Sequence, residues 1–123
     1  MWCVCTDLWR LPEMLVIHLK RFTMTGNHRD RANTMVRYPL KGLDLGEFVL
    51  DSESRDQCVY ECYEICNHMG GMGGGHYTAY VKAMTNGRWY NCDDSRVAEV
   101  SDETKLVSSA AYMLFYKRRP TKK

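Results

Sequence analysis

Three residues of this 123-residue chain have types and spacing that could do chemistry: His76, Asp93 and Asp94. The histidine ends a glycine tract and opens a strand-like run, NHMGGMGGGHYTAY (67–80), in which five of the six positions from 70 to 75 are glycine. The aspartates close a second run, GRWYNCDDS (87–95). A histidine at a strand start can serve as a general base when a nucleophile lies near and an acid orients its ring. Asn86-Gly87, between the two runs, is a local hairpin signal because both residues tolerate positive φ. A hairpin turning there pairs residue 76 with a partner in the middle nineties and so allows a His–Asp pair across the ladder. Neighbouring strand residues point to opposite faces, so only one of the two aspartates is expected to face the base.

The glycines carry a cost, since each gives up more backbone freedom on ordering than other residues do. What they offer is a shallow backbone surface beside the histidine, to which another extended backbone can come close. That suits a protease whose substrate ends in small residues. A mobile glycine loop next to a structural histidine fits the spacing as well, because a lone His–Asp pair is not specific.

The six cysteines supply neither a disulfide scaffold nor a metal site by pattern. Cys3 and Cys5 are too close to bridge each other, and their C-x-C spacing offers two of the four ligands a tetrahedral site needs. No metal and no cofactor are expected. Cys58, Cys62 and Cys66 recur every fourth residue in a strand-like stretch, which predicts that they share one face. They read as free thiols in a reducing compartment. Cys66 and Cys92, the nearest to His76 and Asp93 in sequence, read as buried thiols rather than nucleophiles.

The elements that must position these residues are mostly strands. LPEMLVIHLKRF (11–22) has the length and β-branched content of a buried strand, and TMTGNHRDRANT (23–34) reads as a polar loop. MVRYPL (35–40) reads as a short strand with Pro39 at its edge or end. A turn, a short amphipathic piece and an exposed loop fill 41–56. From Cys58 the pattern is hairpins: CVYECYEIC, HYTAYVKAM, RWYNCDD and finally AYMLFYKRR. SDETKLVSS (101–109) is expected to give a helical turn or two capped by Ser101. Tyr80, Trp89, Tyr112, Phe115 and Tyr116 read as core aromatics, while Tyr77, beside the base, is a candidate for touching substrate.

LPEMLVIHLKRF, VRYPLKGLDL, NHMGGMGGGHYTAY, GRWYNCDDSRV and AAYMLFYKR occur in this order. Together they resemble the C-terminal half of the ubiquitin-specific protease catalytic domain, over residues 9 to 118. The resemblance implies an α+β, strand-rich fold: the palm of a papain-like cysteine protease, an antiparallel twisted sheet with few short helices. It implies a domain over residues 1–118 followed by a basic tail, 119–123. His76 would be the general base, Asp93 the orienting acid and Asp94 an auxiliary. Gly73, Gly74, Gly75 and Tyr77 would line a channel for the Gly-Gly tail of ubiquitin. The family's nucleophile box, of the form G-x-x-N-x-G-N-T-C-Y, has no counterpart here, so the chain is expected to be inactive alone. Glu64 and Cys62 depart from the family, which prefers a small apolar residue and a leucine there.

The implied activity is hydrolysis after the terminal glycine of ubiquitin, with ubiquitin and ubiquitinated proteins as partners and a cytoplasmic or nuclear location. The alternatives are a non-catalytic ubiquitin-binding or regulatory module and a zinc-ribbon domain, for which ligands are wanting. The totals agree with one intracellular domain. A net charge of +2 with acids and bases interspersed argues against nucleic acid, and no apolar run reaches the ~20 residues of a membrane helix.

Overall fold

The computed structural model of the protein describes residues 3–71 and 74–120. Among the described residues there are nine strands: β1 (Met14–His18), β2 (Phe22–Thr25), β3 (His28–Arg31), β4 (Leu43–Asp44), β5 (Val59–Gly71), β6 (Gly74–Lys82), β7 (Trp89–Asp93), β8 (Arg96–Val100) and β9 (Ala111–Arg118). Helical structure among the described residues is limited to 3-10 segments at Gly46–Phe48, Arg55–Gln57 and Glu103–Leu106. The architecture is therefore strand-rich with few helices, as the texture of the sequence predicts.

Seven strands form one antiparallel sheet in the order β1-β9-β5-β6-β7-β8, with β4 added beside β5. β5 is its spine, because VYECYEIC supplies β-branched and aromatic residues over a run long enough to pair with three neighbours. Tyr60, Cys62, Ile65, Trp89, Leu114 and Tyr116 are buried on one face, closed over by Tyr38 and Leu106 from the connecting segments. The Tyr38 hydroxyl donates to the Leu106 carbonyl at 2.6 Å and the Tyr116 hydroxyl to the Pro39 carbonyl at 2.8 Å. Each buried phenol thus fills the core and satisfies its polar end.

Five expectations need correction. Residues 11–22 are not one buried strand: β1 covers only Met14–His18, at the edge of the sheet, and alternates exposed with half-buried residues. Residues 35–40 form no strand; they are extended chain held by Tyr38, by the Pro39 carbonyl and by a 2.8 Å bond from the Cys62 amide to the Leu40 carbonyl. Pro39, lacking an N–H, cannot continue a ladder there. Residues 23–34 are not simply a loop, because β2 and β3 pair around a turn at Gly26, whose φ is +62°. The cap of the last 3-10 segment is Asp102, not Ser101, and its side chain accepts from the Thr104 amide at 3.1 Å. Finally, Cys58, Cys62 and Cys66 do not share a face. The register between β5 and β9 shifts between Cys62 and Glu64, so Tyr63 is the extra residue of a β-bulge. The alternation moves by one, and Ile65 rather than Cys66 follows Cys62 into the core.

Candidate active site

β6 and β7 place the site. Their ladder pairs Lys82 with Trp89 and ends at Ala79 with Cys92, after a turn whose Gly87 has φ +70°. Continued one step, that register sets Asp93 opposite Thr78, on the face His76 shares by the two-residue repeat. There the His76 Nε2 and Asp93 Oδ1 atoms lie 2.6 Å apart. Both side chains are a little under half exposed, at 47% and 43%. The hydrogen bond that Asp93 accepts, and then its charge, raise the His76 pKa above 6.5 against a lesser opposing effect of burial, with a smaller contribution still from the Asp94 charge.

Asp94 also approaches the pair. It is the first residue of the two-residue connection between β7 and β8, where Asp93 pairs with Arg96. Its φ of +50° is the single positive value among the described non-glycine residues. Because Asp94 belongs to a turn, strand alternation does not turn its carboxylate away. Ligand atoms of His76, Asp93 and Asp94 all fall within 4.8 Å of one another, around an open cleft of about 270 Å³ that Ser95 and Arg96 also line. Three such groups could hold a cation, but the imidazole nitrogen nearest the acids is already bonded to Asp93.

The cysteines lie elsewhere. Cys66 and Cys92 both pair with Ala79, from opposite sides, and so stand on the face of the sheet away from His76 and Asp93. Burial raises the thiol pKa of Cys66 and Cys58, and pushes that of Cys62 up to about 11. With Nε2 committed to Asp93, Nδ1 is the nitrogen left to accept a proton. The arrangement supplies a base and the acid that holds its charge.

The glycine tract is not an open loop over its described part. The β5–β6 ladder runs through Met69 with His76, Gly70 with Gly75 and Gly71 with Gly74; Gly73 lies outside the described residues. Gly70 has φ +100°, which side chains rarely adopt. A Cβ on Gly75 would collide with the imidazole of His68, meeting its Cε1 at 2.7 Å, and with the Met69 carbonyl at 2.9 Å. His68 carries no motif that singles it out in the sequence, although it stands two residues before the tract. Tyr77 is 55% exposed and tilts against the His68 ring at 4.6 Å, so it is a surface aromatic. Trp89 and Tyr116 are core residues as expected; Tyr80, Tyr112 and Phe115 are half-buried.

The sheet brings His76 and Asp93 into contact at the end of one hairpin, and comparison with known proteins gives the family. The ubiquitin carboxyl-terminal hydrolase profile matches residues 5–116, and the chain belongs to that family. It is 50% identical over 113 residues to ubiquitin carboxyl-terminal hydrolase 4 of Bos taurus, covering 92% of this chain and 12% of that protein. It is 47% identical over 115 residues to ubiquitin carboxyl-terminal hydrolase 15 of Homo sapiens, covering 94% and 12%. Among solved structures, the SAGA DUB module of Ubp8, Sgf11, Sus1 and Sgf73 bound to monoubiquitin matches with a TM-score of 0.79 and 29% identity, over 94% of this chain and 25% of that one. The chain thus spans about an eighth of the length of the curated relatives it matches. No helix among the described residues is long and apolar enough to cross a membrane.

Proposed function

We propose that this chain is the base-bearing part of a deubiquitinating thiol protease, folded as the palm of a papain-like enzyme over residues 1–118, with 119–123 as a basic tail. The observation that carries this reading is the 2.6 Å contact between His76 Nε2 and Asp93 Oδ1, in a chain whose family is that of the ubiquitin carboxyl-terminal hydrolases. His76 acts as general base, Asp93 orients it, and Asp94 adds negative charge to the pair. Nδ1 takes the proton of a cysteine thiol, and the thiolate attacks the carbonyl of ubiquitin's terminal glycine. The leaving amine departs with a proton from the imidazolium, and water, deprotonated by the same nitrogen, releases the acyl group.

Ubiquitin and ubiquitinated proteins are the partners, met in the cytoplasm or nucleus. Gly74, Gly75 and Tyr77 border the path of the glycine tail; Gly73, expected with them, lies outside the described residues. Cys58 and Cys62 are buried, and Cys66 and Cys92 face the wrong side of the sheet. These four cysteines therefore offer no thiol to the His76–Asp93 pair, and the exposed Cys3 and Cys5 precede the first strand. Where a catalytic triad has been dissected, loss of the nucleophile alone cost on the order of 10⁶ in turnover.

The test is incubation of the purified chain with a fluorogenic substrate on the ubiquitin C-terminus, alongside NMR titration with ubiquitin. No turnover is expected. Resonances of Gly74, Gly75, His76 and Tyr77 should shift with intact ubiquitin and not with ubiquitin lacking its final Gly-Gly. Turnover abolished by His76→Ala would show that a nucleophile has been overlooked. Shifts indifferent to the Gly-Gly tail would remove the tail-binding role.

A further inference from the structure

His68 is more than nine-tenths buried, at 3% exposed, although it lies two residues before the glycine tract. Its backbone is fixed on both sides: its amide donates to the Ala110 carbonyl at 2.9 Å, and its carbonyl accepts from Arg31 Nη2 at 2.7 Å. The ring is fixed differently. Nδ1 is buried with no hydrogen-bond partner among the described residues, and the imidazole is instead gripped by aromatic rings. Phe22 stands 5.3 Å away from β2, Tyr77 4.6 Å away from β6, and Tyr112 6.2 Å away from β9. The remaining side of the ring is the backbone of Gly75, where a Cβ would overlap it.

Register explains the encounter. His68 pairs with Tyr77 in the β5–β6 ladder, and Gly75 lies two residues from Tyr77 on the same face. His76, between them, points to the other face, toward Asp93. A ring wedged against both neighbours of His76 constrains the backbone that carries the base.

We propose that His68 is the positioning residue of this site: its buried ring occupies the space a side chain would need at Gly75, locks residues 75–77 against the aromatic cluster, and so sets where His76 stands on Asp93. Gly75 is glycine for the sake of His68, whatever else its bareness offers a substrate. Through Arg31 the same residue ties the β2–β3 hairpin to the base. The role needs a flat group of the right reach, since what holds the ring is contact with aromatic side chains and the Gly75 backbone.

The inference rests on His76 being the base of the proposed reaction. Its readout is the titration of His76 itself, so it stands or falls without turnover of any ubiquitin substrate. The experiment follows the His76 ring by NMR against pH in the full chain, with far-UV circular dichroism to follow the sheet. His68→Ala and Gly75→Ala should each lower the His76 midpoint toward the ordinary value of about 6.5, with the sheet signal kept. His68→Gln, whose planar amide reaches the position of Nε2 without titrating, should retain the wild-type midpoint. The pair Gly75→Ala with His68→Ala should recover part of the loss, because the missing ring vacates the space the new methyl needs. An unchanged midpoint in His68→Ala would overturn the proposal, and so would a Gly75→Ala chain that titrates as wild type. Should His68→Ala unfold the chain, Gly75→Ala decides, since that exposed position gives up no core contact.

Discussion

His76 and Asp93 form a pair whose effect is readable through one proton. The aspartate raises the histidine pKa, chiefly by accepting the hydrogen bond and then by its charge. The protonated, paired state is thereby favoured in the folded chain. Its contribution to stability is complete below about 6.5, the ordinary value, and fades as pH rises through the raised value. Above that point the neutral ring predominates. Asp93→Asn should lower the His76 midpoint, and Asp94→Asn should lower it less, because Asp94 acts by charge at longer range. An NMR pH titration of the three chains checks the order; equal midpoints in all of them would contradict the assignment of Asp93. The turn at Asn86-Gly87 made it legible that the middle nineties come back to residue 76, while the choice of Asp93 over Asp94 came from the family resemblance. The approach of Asp94 was not legible, since it depends on a left-handed turn residue where alternation was expected to hold. Gly75 was legible as bare but not as the neighbour of a histidine seven residues earlier, a contact that only the folded ladder creates.

Among the elements, β5 and the β2–β3 hairpin show where sequence pattern stops. The run CVYECYEIC announces a strand, but a bulge leaves no compositional mark, and the one at Tyr63 reverses the faces of everything after it. Two outcomes follow from the observed register. Cys3 and Cys5 are exposed, so a thiol reagent should label them quickly in the folded chain. Cys62, buried and with its pKa pushed up to about 11, should react only on unfolding. Mass spectrometry after timed alkylation reads both, and early labelling of Cys62 would show the register to be wrong. Ile65, fully buried directly after the bulge, should cost about 2–5 kcal/mol when cut back to alanine, measured by urea unfolding. The β2–β3 hairpin escaped notice because FTMT alternates over only four residues and its partner, HRDR, has no apolar residue at all. It is held by buried Arg21, which follows β1 and immediately precedes β2. The Arg21 guanidinium donates from Nε to the Ala111 carbonyl at 2.6 Å and from Nη1 to the Ala32 and Thr34 carbonyls at 3.0 and 2.8 Å. A charged residue used as a three-way backbone tie has no periodic signature.

At the scale of the molecule, the sheet has one covered face and one half-covered one. On the side away from the core, register aligns His18, Met113, Cys66, Ala79, Cys92 and Val97 in one row across six strands. A parallel row joins Val16, Phe115, Glu64, Val81, Tyr90 and Glu99. Both rows are largely apolar, and none of these residues is fully buried. The sheet also ends in two open strands, β1 exposing Met14 and Val16, and β8 exposing Val97 at 65%. Open edges and an apolar face are what a second copy can cover, by strand pairing or by face packing. A net charge of only +2 supplies little repulsion to prevent it. The purified chain should therefore associate with itself as its concentration rises, and sedimentation velocity across a concentration series should show the mean mass climbing. Val16→Lys with Val97→Lys places charge on both edges without touching the core, and should hold the chain monomeric at unchanged unfolding midpoint. A wild-type chain that stays monomeric over the whole series would mean that the edges and face are protected by their own charged neighbours, among them Arg96 and Glu99 on β8 and Lys117 beside β1.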